Sequence, residues 1–96
     1  MEIKFAIIYH QKVVDEDISK LSKAIQTRVR KAIEEKLTTF PEVYGKPLRQ
    51  SLSGYRKLRV GEYRVIFKIE KMTVSVFAIM HRSVVYDTSQ KRVSKK

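Results

Sequence analysis

The run Tyr55-Arg-Lys-Leu-Arg59, Val60-Gly61, Glu62-Tyr-Arg-Val-Ile-Phe67, continued by Thr73 to Arg82 and closed by Val85-Tyr86, decides the fold. It reads as three consecutive strands. β-Branched and aromatic residues alternate with cations, and Val60-Gly61-Glu62 and Glu70-Lys71-Met72 supply the turns. With Gly61 and Glu62 in the first turn, Arg59 faces Arg64 and Lys57 faces Ile66 across the pair. Three residues in the second turn would then bring Arg82 out on the same side as Arg64. Tyr63, Val65, Phe67 and Ile69 occupy the other side, joined there by Phe77 and Ile79. Arginines in apolar strands cost desolvation free energy, and like charges set opposite one another repel. Four cations on one sheet face therefore demand an anion.

Working back toward the N-terminus, Ile3, Phe5, Ile7 and Tyr9 alternate with Lys4, Ala6, Ile8 and His10. A strand apolar on nearly both faces fits one with neighbours on each side. Val13 to Leu21 reads as a short helix, its acids Asp15, Glu16 and Asp17 near the start and Lys20 near the end, as the helix dipole favours. Ser22 suits the N-cap of a second helix. Ile25, Val29, Ala32, Ile33, Leu37 and Phe40 form its apolar stripe through about residue 39, and Pro41 stops it. Glu42 to Gly54 then connects helices to sheet. The expected class is α+β: an N-terminal strand and a helical hairpin packed on one face of an antiparallel sheet of about four strands. Residues 1–87 form the single domain, and 88–96 a basic, flexible tail.

The charge is unevenly placed. Net charge is +11 over 96 residues, and residues 49–96 hold twelve Lys/Arg against three Asp/Glu. Nucleic acid or an acidic protein is the partner class this implies, an anionic membrane less so. There is no cysteine, which excludes disulfides and thiolate metal sites. Asp15-Glu16-Asp17 stands without further ligands and reads as a helix start, with no metal implied. No secretory signal pattern opens the chain and no apolar run reaches the roughly 18 residues of a membrane span, so the expectation is a cytoplasmic protein.

Gly54-Tyr-Arg-Lys-Leu-Arg-Val-Gly-Glu-Tyr-Arg-Val-Ile-Phe67 and His81-Arg-Ser-Val-Val-Tyr86, after a strand and a helical hairpin, resemble the RelE/ParE superfamily of bacterial toxins. RelE-like members are ribosome-dependent messenger-RNA endonucleases paired with a cognate antitoxin. ParE-like members share the fold, poison DNA gyrase and lack the ribonuclease residues. Lys57, Arg64, Arg82 and Tyr86 fall on the marks of the nuclease branch. Tyr55 stands where the best-known members carry a further lysine, and His81 is a second departure from them. The resemblance implies a toxin of a type II toxin–antitoxin system that cuts mRNA in the ribosomal decoding site, with no small-molecule cofactor. A gyrase inhibitor and an inactive binding module are the alternatives.

Metal-free RNA cleavage needs three things: a proton removed from the 2′-hydroxyl, charge stabilised on the phosphorane, and a proton for the departing 5′ oxygen. Arginine's planar donors suit the second task, which falls to Arg64 with Arg59 beside it. Arg82 would hold the phosphate or leaving group. Lys57, crowded by cations that favour its neutral amine, and His81, whose ordinary titration lies nearest neutrality, are the two candidates for proton transfer. His81 equally fits a satisfied core or edge histidine, since its parity sets it with Phe77 and Ile79. Tyr86 stacks on a base, orients the sugar, or simply packs. Arg49, Arg56, Arg59 and Lys68 are the expected RNA-binding residues. Lys91 to Lys96 read as a solvated tail that attracts RNA.

Overall fold

The computed structural model describes residues 4–94, so Ile3 of the expected strand and Lys95 and Lys96 of the expected tail lie outside the described residues. In chain order it contains β1 (Ala6–Tyr9), a wide helical turn (Val13–Asp17) tightening at Ile18–Lys20, α1 (Lys23–Ala32) continued by wide turns at Ile33–Leu37, and α2 (Pro41–Tyr44). There follow β2 (Lys46–Pro47), a tight turn (Gln50–Leu52), β3 (Arg56–Val60), β4 (Tyr63–Glu70), β5 (Thr73–His81) and α3 (Val85–Ser94). Ser22 caps α1, its hydroxyl accepting from the Ile25 amide at 3.2 Å. Pro41 ends that helix and opens α2 at its first position, where a missing N–H costs nothing.

The class is α+β, with five strands among the described residues, in the order β1-β5-β4-β3-β2, in place of about four. The sheet is mixed, because β1 runs parallel to β5 while all other pairs are antiparallel. The helices carry the chain from β1 to β2 at the opposite edge, and β3 and β4 lead back to β5 beside β1. β1 is thus an edge strand with one neighbour, not two. Its apolar character on both faces comes from Ile7 packing into the core while Ile8 stands 54% exposed on the far side.

The core under the hairpin unites Val13, Val29, Ile33 and Leu37 with Leu58, Val65, Phe67, Val74 and Ile79. Each such fully buried side chain is worth about 1.5–3 kcal/mol. Phe40, placed on the apolar stripe by spacing, is instead 61% exposed, since the chain has already turned into α2.

The first strand turn has the expected register, with Arg59 opposite Arg64 and Lys57 opposite Ile66. Gly61 takes φ +61 there, a backbone region that glycine favours. The second turn holds two residues, not three, because Glu70 pairs with Thr73. A β-bulge compensates: Ile66 pairs with Ala78 but Phe67 pairs with Val76, leaving Phe77 without a counterpart. Arg64 therefore meets Met80, even opposite even, as a longer turn would have arranged. The bulge also separates Phe77 from Ile79. Ile79 stays under the hairpin, whereas Phe77 joins Tyr55, Ile66, Ala78 and Val85 on the opposite face.

That opposite face is covered by α3, and residues 88–94, expected as a flexible tail, are its last turns. Val85 and Ser89 are fully buried. Arg92 fastens the helix: its Nη1 and Nη2 each donate to Asp17 at 2.9 Å, and Nη1 also donates to the Phe77 carbonyl at 2.8 Å. Asp17 in turn accepts from the Ile79 amide at 3.0 Å. These are backbone groups of β5 beyond the point where β1 stops, so two side chains close a sheet edge that would otherwise stand open.

Candidate nucleic-acid interface

Lys57 and Arg59 share one face of β3, and Arg64 stands opposite Arg59 on β4. All three point away from the hairpin, above the region that α3 covers. With Tyr44 and Lys46 they line a cavity of about 170 Å³. Arg64 is held in place: its Nη1 donates to the carbonyls of Gly61 at 3.0 Å and Tyr63 at 2.9 Å. Lys57 Nζ donates to the Tyr86 hydroxyl at 3.2 Å and lies 5.6 Å from that ring's centroid. Tyr86 sits in the first turn of α3, so the helix brings the phenol to the cationic strands.

The remaining expected site residues stand elsewhere. Arg82 follows the end of β5 and pairs with Glu62, Nε to Oε1 at 3.0 Å, its main-chain amide also donating to the Glu62 carbonyl. His81 faces Tyr63 in the sheet, on the hairpin side, with ring centroids 5.5 Å apart. Its Nδ1 accepts from the Ser83 amide at 3.1 Å and lies 2.8 Å from that residue's hydroxyl. Arg56, also on the hairpin side, donates through Nη1 to the carbonyls of Gly45 at 3.0 Å and Glu42 at 3.3 Å. It braces a loop. Lys68 emerges on the same face as Lys57 but across α3, 3.9 Å from Glu70 and 5.6 Å from the Tyr55 ring centroid. Arg49 is exposed just before the Gln50–Leu52 turn.

Sequence reasoning passed over Tyr44 as a site residue and held Lys46 only within the Glu42 to Gly54 connection, a candidate ligand contact. The signal available was Gly45 between them. This buried glycine rests on the Phe67 ring, and a Cβ there would clash with that ring and come within 3.0 Å of the Pro41 carbonyl oxygen. Only glycine lets the α2–β2 corner lie this close to the core, and the corner presents its two neighbours to the cations.

Chemically, the cavity offers two guanidiniums and two ammoniums to a single anion, with a phenol hydrogen-bonded to one of the ammoniums. Planar donors match phosphate oxygens, and the crowded like charges are relieved only by a polyanion. Among the described residues no group of three His, Asp or Glu side chains is placed to hold a metal ion. No helix among them is long and apolar enough to cross a membrane.

Comparison with known proteins narrows the reading. A family model described as the ParE toxin of the type II toxin–antitoxin system parDE matches residues 7–86. Toxin RelG of Mycobacterium tuberculosis is 35% identical over 72 residues, covering 73% of this chain and 83% of that protein. A chain in the crystal structure of the toxin–antitoxin complex RelBE2 from the same organism superposes with TM-score 0.78 at 28% identity, covering 83% of this chain and 100% of that one. The isolated Escherichia coli RelE toxin, 22% identical, has TM-score 0.63 over 93% of this chain and 98% of its own, a likeness of fold.

Proposed function

The chain belongs to the RelE/ParE superfamily, the toxins of type II toxin–antitoxin systems, and from that premise we propose that it is a ribosome-dependent mRNA endonuclease. One observation carries the reading: Arg59 and Arg64 oppose each other in register and share a cavity with Lys57 and Lys46. Four converging cations suit the charge that builds on a pentacovalent phosphorane.

In this reading Arg64 and Arg59 stabilise the charge that builds on the scissile phosphate. Arg64 is already oriented by two carbonyls and needs no reorganisation to act. Proton transfer falls to the Lys57–Tyr86 pair, which faces the same side as the guanidiniums. His81 is on the other side of the sheet and orders the turn after β5 through Ser83. Arg82 holds the phosphate or leaving group after exchanging Glu62 for it. The chemistry uses side chains alone, with no cofactor. Absence of a strong dedicated base explains the need for the ribosome, which would position the 2′-hydroxyl in the decoding site. The reading includes a cytoplasmic setting and a cognate antitoxin, whose acidic or apolar segment covers the basic face.

Inducing the chain in bacteria and mapping transcript 5′ ends tests this reading. Codon-phased cuts in translated messages are the expected result. A DNA-damage response without cuts would point to gyrase, the target of the ParE-like branch. Neither response would mean a binding module.

A further inference from the structure

We propose that Tyr44 is a base-stacking residue: a nucleobase of single-stranded RNA lies on its ring while the adjoining phosphate is held by Lys46, Lys57, Arg59 and Arg64. This deepens the reading above and rests on its RNA ligand. Tyr44 borders the same cavity as those four cations and is 45% exposed. An exposed aromatic is commonplace alone. This one is fixed in position by three separate contacts.

Lys36 Nζ lies over the ring, 5.5 Å from its centroid, and covers one face. Gly45, the next residue, is seated on Phe67 where no side chain fits. Arg56 ties the Gly45 and Glu42 carbonyls to β3. The corner that carries Tyr44 is thus tied to β3 and packed on the core, and α2 already offers a stacking surface. A flat ring beside a cluster of fixed cations is the pair of features that single-stranded nucleic acid supplies partners for, a π-face and a phosphate per residue. An acidic peptide supplies the anion without the repeated flat ring. Lys46, on the other side of Gly45, would contribute one of the phosphate contacts.

The test is fluorescence anisotropy with a short single-stranded RNA, using the parent chain, Tyr44→Ala, Tyr44→Phe, Tyr44→Trp and Lys46→Ala, each confirmed folded by thermal melting. Tyr44→Ala should weaken RNA binding about 5- to 150-fold, the size of one base–aromatic stack, while Phe and Trp retain it. The salt dependence should be unchanged in Tyr44→Ala but shallower by about one in the log–log slope for Lys46→Ala. Inorganic polyphosphate and polyglutamate, polyanions without bases, should bind Tyr44→Ala as they bind the parent. RNA affinity within twofold of the parent in Tyr44→Ala overturns the inference. So does an equal loss toward polyphosphate, which would mean an electrostatic effect, or toward polyglutamate, which would mean a protein-binding surface. A chain that stacks RNA on Tyr44 but cuts no message upholds this inference and overturns the nuclease reading. A cutting chain indifferent to Tyr44→Ala does the reverse.

Discussion

Replacing Arg92 by methionine should lower the stability of the whole domain, although the residue lies four positions from the end of the chain. The Arg92 side chain is 9% exposed and that of Asp17 2%. Methionine fills part of the volume but donates nothing, so the carboxylate keeps only the Ile79 amide and the Phe77 carbonyl loses its partner. Removing one member of a buried pair costs about 3–5 kcal/mol, against at most about 1 kcal/mol for a solvated one. A chain of this length has on the order of 5–14 kcal/mol in total. With a urea dependence of about 1–3 kcal/mol per molar, the unfolding midpoint should fall by at least about 1 M. Urea titrations followed by circular dichroism would compare the parent, Arg92→Met, Asp17→Leu and the double variant. The double variant should recover most of the loss, because an apolar pair in place of a buried ion pair is often neutral. A midpoint for Arg92→Met equal to that of the parent would refute the reasoning, since α3 could not then be docked through this residue.

Three further outcomes follow from the same geometry. Arg64→Ala and Arg82→Ala should each relieve growth arrest on induction while leaving the melting temperature nearly unchanged; full toxicity in both would discard the proposed site. Tyr86→Phe deletes the hydroxyl to which Lys57 donates, and cleavage on programmed ribosomes should fall by about 10²–10⁴ if the pair transfers protons, whereas His81→Gln should cost only a few-fold. Tyr9 has its phenol pKa raised above 10.0, by burial first and by Glu34 second, with Arg30 opposing. Below pH 10 the phenol is neutral folded or unfolded; above it the unfolded chain ionises first, so stability should decline as pH rises past 10. Ultraviolet titration should show a late-ionising phenol that Tyr9→Phe removes, and Glu34→Gln should move it back toward 10.

The β3–β4 register was legible because a two-residue turn around Gly61 fixes it locally, and the cation pair Arg59/Arg64 followed directly. The hairpin was equally legible from Ser22, the apolar spacing and Pro41. What the chain hid depended on contacts distant in sequence. Asp17 looked like one acid in a solvated helix start, and only folding carries Arg92 to it, 75 residues on. Without that pair, residues 88–94 look like any basic tail. Bulges leave no compositional mark, so alternation placed Phe77 and Ile79 together. Arg56 and Arg59 are indistinguishable by charge, yet strand parity turns one to the backbone of a loop and the other to the cavity. Tyr44 escaped notice because its neighbours in the cavity come from three strands that follow it.

The unmatched Phe77 acts as a phase slip in the last strand. Residues Thr73 to Val76 and Ala78 to His81 obey opposite parities, as though two short strands had been spliced out of step. The segment beside the cations and the segment beside β1 are therefore free to drift independently, each substitution judged by its own local frame. Deleting Phe77 would bring the two frames into step with Ile79 still beneath the hairpin, whereas flattening the bulge without a deletion would turn Ile79 to the α3 face and Met80 in beneath the hairpin. A protein whose working surface must change while its scaffold persists gains from such a joint.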